Sequence, residues 1–246
     1  MSMPVNLRGI LVVAEKNVRL YYTKPPVFIF GLLFPLFLFI AFFMGREIAI
    51  DLFLPGFTAM TLFFTASSVG PLITPWERQA KTYERLLTYP VTIETVIAGD
   101  VVAGSMFGIL ITGLVLAAVV LVIPVPVVHA LVFAVAVVLG GLCFAALGSL
   151  LSSPPTANPS TIMMLSSLVR FPLIFISGIF IPLYELRGLG RMLSCFSPLT
   201  YLVDLINAGF GHASLFGPAV DVLVLLVVTV VFLLAARLLQ QRAVAA

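Results

Sequence analysis

Trp76-Glu77-Arg78-Gln79-Ala80-Lys81-Thr82-Tyr83-Glu84-Arg85-Leu86-Leu87-Thr88-Tyr89-Pro90 is a charged, helix-length island between two apolar segments, each long enough to cross a bilayer. Five of its residues, Glu77, Arg78, Lys81, Glu84 and Arg85, are charged, whereas only 9% of the 246-residue chain is. Charge concentrated in this way lies outside the hydrocarbon, so the stretch marks where the chain leaves the membrane.

Outward from the island the composition is that of a membrane protein. Hydrophobic residues make up 61% of the chain and the mean hydropathy is +1.21, well above the roughly half-apolar content of a globular domain. A helix needs roughly 20 apolar residues to cross a bilayer. The chain therefore reads as an all-α polytopic protein of six spans, over residues 27–44, 52–73, 93–123, 127–151, 161–181 and 216–236, in a single domain covering 1–246. The N-terminal residues lack the short apolar core and cleavage site of a secretory signal, so the first span is expected to be retained.

Residues 5–23 precede the first span. Leu7, Leu11, Ala14, Val18 and Tyr21 recur at steps of three and four, while Arg8, Glu15 and Arg19 fall on another face with Lys16 beside them. This predicts an amphipathic helix lying at the membrane surface. Pro35, Pro55 and Pro71 interrupt the first two spans and need neighbouring helices to satisfy the freed backbone. Glu94 and Asp100 lie in the first turns of the third apolar segment, which are expected to protrude into water or the headgroup region. Gly104 and Gly108 offer a small-residue face that admits a close neighbour. Residues 152–160 form an uncharged polar break. Residues 184–215 mix charge with apolar stretches and read as a re-entrant outer region.

With six spans both termini share a side. That side collects Arg8, Lys16, Arg19, Lys24, Arg78, Lys81, Arg85, Arg237 and Arg242; the other collects Arg46, Arg187 and Arg191. The asymmetry predicts cytoplasmic termini in a cell membrane, with the island also cytoplasmic.

Several chemistries are excluded by motif. There is no Gly-x-x-x-x-Gly-Lys phosphate loop and no His-Glu-x-x-His, and the two histidines, His129 and His212, support no hydrolase triad or metal site. Cys143 and Cys195 form neither a disulfide framework nor a zinc spacing. No catalytic residue, metal or bound cofactor is expected, nor a nucleic-acid partner. Arg170 stands out because an arginine at mid-span costs roughly 2.5–3.5 kcal/mol on insertion scales. Three readings stay open for it: a partner for an anionic substrate headgroup, a partner for an acidic residue of another span, or a snorkelling side chain. On charge alone, the island is either a docking helix, with Arg78, Lys81, Thr82 and Arg85 on one face, or a set of ordinary charges holding a loop in water.

The pattern Glu77-Arg78-x-x-Lys81-Thr82-x-Glu84-x-Leu86-Leu87-Thr88-x-Pro90-Val91 resembles the cytoplasmic loop of ABC-2 type transporter permeases, which runs Glu-Arg, Gly-Thr, Glu-x-Leu-Leu and Pro-Val. A second region is similar to the family's pattern around span five and the outer loop: Phe175-Ile176-Ser177-Gly178-Ile179-Phe180-Ile181-Pro182-Leu183, then Ser197-Pro198-Leu199-Thr200-Tyr201-Leu202-Val203-Asp204. Two departures are visible. Lys81 occupies the usual glycine, and no arginine follows Asp204 within a few residues.

The resemblance implies a permease subunit of an exporter that pairs with a second copy or a close relative and with two separate ATPase subunits, which would bind ATP and Mg. Residues 76–90 would be the coupling helix, contacting the ATPase through Glu77, Arg78, Lys81, Thr82, Glu84 and Arg85, with Leu86 and Leu87 anchoring it to the spans. Arg170, Ser177, Gly178, Pro182, Tyr201 and Asp204 would lie along the substrate path. A hydrophobic drug, lipid or lipid-linked glycan is the expected cargo. The competing reading is a stand-alone secondary transporter or channel, which would need several ionisable groups at midplane or inverted repeats.

Overall fold

The computed structural model describes residues 7–21, 50–89, 91–122, 127–156, 158–180 and 188–245, with isolated positions between 25 and 41. Apart from those isolated positions, the predicted first span, 27–44, lies outside the described residues, as do the turn carrying Arg46 and Glu47, and Pro182, Glu185 and Arg187. Every element among the described residues is helical: α1 (Leu7–Tyr21), α2 (Ile50–Gln79), α3 (Thr82–Leu87), α4 (Ile93–Val122), α5 (Ala130–Leu151), α6 (Pro159–Ile176), α7 (Leu189–Ser194), α8 (Pro198–Gly209) and α9 (Pro218–Ala245). Five of these, α2, α4, α5, α6 and α9, are long and apolar enough to cross a membrane.

α2 is the central helix. Its most apolar stretch is 94% buried, against 11% for α9, so α4, α5, α6 and α8 surround α2 while α9 packs on the outside against α5. A helix buried on all sides needs small side chains to let its neighbours approach. Thr58, Thr61, Thr65, Ser67 and Ser68 are all buried along α2. Four of these hydroxyls donate to the preceding turn: Thr58 to the Leu54 carbonyl at 2.8 Å, Thr65 to Thr61 at 2.7 Å, Ser67 to Phe63 at 2.6 Å and Ser68 to Thr65 at 3.0 Å.

The closest approach is glycine on glycine. A Cβ at Gly70 would meet the Gly148 carbonyl oxygen at 2.7 Å, and one at Gly148 would meet the Ser67 oxygen at 2.7 Å. Gly104 and Gly108 of α4 face α2 as their spacing suggested, both against Ala66. Phe63 and Phe144 complete the α2–α5 contact edge to face, with ring centroids 4.8 Å apart.

Several boundaries differ from the sequence expectation. α6 ends at Ile176, five residues before the predicted end of that span, because Ser177 caps it with an N–H to the Ile174 carbonyl and Gly178 turns the chain at φ +82°. α9 begins at Pro218, where a proline suits the first turn, and continues to Ala245. The island is not one helix. α2 runs on through Trp76 to Gln79 and stops at Lys81, which takes the left-handed conformation at φ +54°. The Ala80 and Lys81 N–H groups close the last turn onto the Trp76 and Arg78 carbonyls, and the Thr82 hydroxyl donates to the Glu77 carbonyl at 3.1 Å. This is a left-handed helix stop, normally a glycine's place.

α1 lies across the start of α4. Val13, Ala14 and Asn17 are buried there, and Gly99 admits them, since a Cβ on it would meet that of Val13 at 2.6 Å. The packed face is thus offset from the apolar face that the sequence assigns to the membrane surface. Ala14 belongs to it, whereas Leu7, Leu11 and Val18 are exposed as a separate apolar strip.

Candidate functional site

The helix ends at the island converge into a polar cluster. α2 brings Glu77 and Arg78, α1 brings Lys16 and Asn17, α4 brings Glu94 and Asp100, and α9 brings Arg237, Gln240 and Gln241. Lys16 Nζ pairs with Glu77 Oε1 at 2.5 Å, with the Glu77 side chain only 5% exposed. Asn17 Nδ2 donates to Asp100 Oδ1 at 2.7 Å, with both residues buried. Asp100 therefore does not protrude into water as expected, because α1 covers it and supplies its donor. Arg237 Nε pairs with Glu94 Oε1 at 2.8 Å, and Gln241 Nε2 donates to the same oxygen at 3.1 Å.

The short α3 is tied into this cluster by its second residue. Tyr83 is buried and its hydroxyl donates to Gln240 Oε1 at 3.1 Å. Burial, with the negative charge of Asp100 adding to it, pushes the Tyr83 phenol up to about 12, so it stays a donor. Arg78 donates to the Pro154 carbonyl in the loop between α5 and α6 and sits over the Tyr83 ring at 5.3 Å. The uncharged polar break predicted over 152–160 is thus a receiving surface for the island.

The predicted docking residues fall into two groups. Glu77 and Arg78 face inward and hold the island to the bundle. Lys81, Thr82 and Arg85 are exposed, with Thr88 and Tyr89 beside them and Leu86 half-buried. The side chains of Glu84 and Leu87 lie outside the described residues. The single face expected for Arg78, Lys81, Thr82 and Arg85 is divided by the helix stop at Lys81. What remains is an exposed ledge on a rigidly braced base. Asn17, Tyr83 and Gln240 were not singled out from sequence, and Lys16 was read only as a charge of the N-terminal helix; nothing local pairs any of them with residues far along the chain.

Along α2, Leu52 lies 25 residues before Glu77, roughly 38 Å at 1.5 Å per residue. There, a cavity of about 380 Å³ is lined by Leu52 and Gly56 of α2, Gly178 and Ile179 after α6, Val203, Asp204 and Asn207 of α8, and residues 212–215. Asp204 is buried and its carboxylate collects the 212–217 loop: the Ser214 hydroxyl donates at 2.9 Å, Leu215 N–H at 2.8 Å and Phe216 N–H at 2.9 Å. The Ser177 hydroxyl donates to the Ile174 carbonyl at 2.7 Å, and Tyr201 donates to the Cys195 carbonyl at 2.9 Å.

Arg170 is not part of this cavity. It is buried between α6 and α2, and its Nη2 donates to the Ser67 carbonyl at 2.5 Å. Pro71 stands four residues after Ser67, and a proline there has no N–H to give that carbonyl. Arg170 supplies the missing donor from a neighbouring helix. Among the described residues it has no acidic partner. No group of three or more His, Cys, Asp or Glu among the described residues could hold a metal ion.

A family model described as ABC-2 type transporter matches residues 8–210, a stretch that contains Lys16, Glu77, Arg78, Tyr83, Arg170 and Asp204 but not α9 with Arg237, Gln240 and Gln241. No curated protein matches the chain.

Proposed function

The chain belongs to the ABC-2 type transporter family, and from that premise we propose that it is the permease subunit of an exporter driven by two separate ATPase subunits that bind ATP and Mg. It is a multi-pass membrane protein and a transport subunit rather than an enzyme. In the proposed arrangement the 27–44 segment is the first of six spans, both termini are cytoplasmic, and two copies of the chain enclose the path. The cargo is a hydrophobic drug, a lipid or a lipid-linked glycan, in keeping with the apolar spans.

The observation that carries the reading is the exposed ledge of Lys81, Thr82 and Arg85 mounted on buried cross-helix links. A surface that transmits force must resist being pushed into its own support, and Glu77, Arg78 and Tyr83 provide that resistance by bonding to α1, α9 and the 152–158 loop. Seating the ATPase on the ledge would move α2, the helix around which the bundle packs. α1, with its exposed strip of Leu7, Leu11 and Val18 beside the charges of Arg8, Glu15 and Arg19, suits the membrane interface. α7 and α8 form the re-entrant pair, and Ser177, Gly178, Tyr201 and Asp204 belong to the wall of the outward end, with Pro182 following. Arg170 serves the path indirectly, by holding α2.

The test is co-purification of the tagged chain with the ATPase encoded beside it. The double variant Lys81→Glu/Arg85→Glu is expected to lose the ATPase while eluting as a folded membrane protein. Retention of the ATPase by this variant would remove the ledge from the docking surface. Transport in vesicles without any ATPase would favour the stand-alone transporter.

A further inference from the structure

The cavity at the end of α2 opposite the charged cluster has a chemically one-sided wall. Leu52, Ile179, Val203 and Leu215 give it apolar surface, and its polar side chains have donors engaged within the protein. The Ser214 hydroxyl is spent on Asp204 Oδ2 at 2.9 Å. Asn207 Nδ2 donates to the Val203 carbonyl at 2.9 Å, which leaves Asn207 Oδ1 towards His212 Nδ1 at 3.4 Å. An amide oxygen only accepts, so the hydrogen of that contact lies on Nδ1, and in the neutral ring Nε2 is an acceptor.

Asp204 has acceptor capacity to spare on the same wall. Its Oδ2 takes the Ser214 hydroxyl and the Leu215 and Phe216 N–H groups, whereas Oδ1 receives only the Leu215 N–H that it shares with Oδ2. A carboxylate oxygen has two lone pairs, so Oδ1 has room for another donor. Asp204 is only 2% exposed, and among the described residues no Lys or Arg pairs with it. A buried carboxylate without a counter-charge attracts a cation strongly, because little water is there to screen it.

We propose that this cavity is a binding site for an organic ammonium carried on an apolar body. The ammonium donates to Asp204 Oδ1, with His212 Nε2 as a second acceptor, and the body lies against Leu52, Ile179 and Val203. The volume of about 380 Å³ falls within the range of about 300–1,000 Å³ typical of small-molecule sites, which pair apolar walls with a few placed polar groups. An anion meets the repulsion of the carboxylate, and a neutral alcohol forgoes its attraction. A hard metal ion needs about six oxygens, and this wall offers one carboxylate already held by three donors. The ammonium belongs either to a free hydrophobic amine or to an aminolipid headgroup. Binding needs no ATPase; that the site is a station on the cargo path rests on the permease reading, and it narrows that cargo to molecules bearing an ammonium.

The experiment uses the full chain purified in detergent without an ATPase, and three probes that share one ring: naphthylmethylamine, naphthylmethanol and naphthoate. Binding is read from naphthyl fluorescence anisotropy above that of protein-free micelles. The ammonium is expected to bind roughly tenfold more tightly than the alcohol, the low end for a hydrogen bond to a charged group, and naphthoate the most weakly. Asp204→Asn should erase that preference. Because this variant also disturbs the loop that Asp204 holds, a second measurement leaves Asp204 intact. Ala213 is exposed on the cavity wall, so in Cys195→Ser/Ala213→Cys the bound amine should slow maleimide labelling at position 213, with Cys143 buried and silent. Phosphatidylethanolamine in place of the amine, set against phosphatidylcholine, whose headgroup carries no N–H, tells the two sources apart. Protection by it assigns the site to a lipid headgroup, and protection by naphthylmethylamine alone to a free amine. Equal affinity for ammonium and alcohol in the wild type, or ammonium binding that leaves labelling at 213 unchanged, overturns the site. Either failure leaves the co-purification result standing, and failure of the ATPase to co-purify leaves this binding untouched.

Discussion

The two regions that grip α2 do so with different chemistry. Around the charged end most links are side chain to side chain, Lys16 to Glu77 across 61 residues of sequence, Tyr83 to Gln240 across 157, and Arg237 to Glu94, with Arg78 on the Pro154 carbonyl the exception. At the waist, between Ser67 and Gly70, the partners are backbone: glycine against glycine, and an arginine on a main-chain carbonyl. Side chains reach these partners on stems with several rotatable bonds, so a helix end can shift slightly while its buried links are kept. Backbone contacts have one geometry. The charged end can therefore take up small displacements while staying linked, and the waist carries them without deforming.

The contrast breaks most severely at the waist. Gly148→Val puts methyl groups where the Ser67 carbonyl oxygen already lies 2.7 Å from the position of a Cβ, and no side-chain rotation relieves a clash with backbone. α2 and α5 must separate, costing about 3 kcal/mol, the upper part of the usual overpacking range. Unfolding in detergent followed by helix signal should register the loss. A stability within error of wild type would mean that the waist is as adaptable as the charged end, and the comparison would collapse.

The next effect is smaller and more specific. Arg170→Leu leaves the Ser67 carbonyl buried without the donor that Pro71 cannot provide, a cost of about 2 kcal/mol for an unsatisfied polar group. Pro71→Ala restores a main-chain N–H to the helix, so the double variant should recover part of the loss. A double-mutant cycle measures that coupling directly. Additive losses would show that Arg170 acts on something other than the gap behind Pro71.

What was legible in the sequence divides along the same line. Local composition marked the apolar segments, the charged island, the uncharged 152–160 break and the Gly104/Gly108 face, because each depends on residues within a turn or two of one another. Arg170 and Pro71 were both conspicuous, yet their relation was not, since it joins residues about a hundred positions apart through a carbonyl that no side-chain pattern announces. The reading of Asp100 as solvated failed for a similar cause. Its environment is decided by Asn17, which α1 delivers from the other end of the alignment of helices. α1 itself was recognisably amphipathic, but its two apolar surfaces, one packed through Val13 and Ala14 and one bare at Leu7, Leu11 and Val18, cannot be separated without knowing that Gly99 opens a seat for it.

The smallest effect concerns Lys81, and it separates backbone from charge at the ledge. A lysine at φ +54° is in the region where L residues lose about 1–2 kcal/mol to steric crowding, whereas glycine meets no such cost but gives up about 0.5–1 kcal/mol of chain entropy. Lys81→Gly is therefore expected to stabilise the isolated chain by about 0.5 kcal/mol, a small rise in Tm, because the helix stop that splits the island becomes unstrained. The ledge meanwhile loses one of its two exposed cations and keeps Arg85. If the charged end works by exchangeable charge, this variant should be slightly more stable and yet hold the ATPase less firmly, eluting from it at lower salt than the wild type does. Equal salt resistance would assign Lys81 to the turn alone and leave Arg85 as the ledge's charged contact; weaker stability would mean that the lysine stem, and not the backbone, is what the turn depends on.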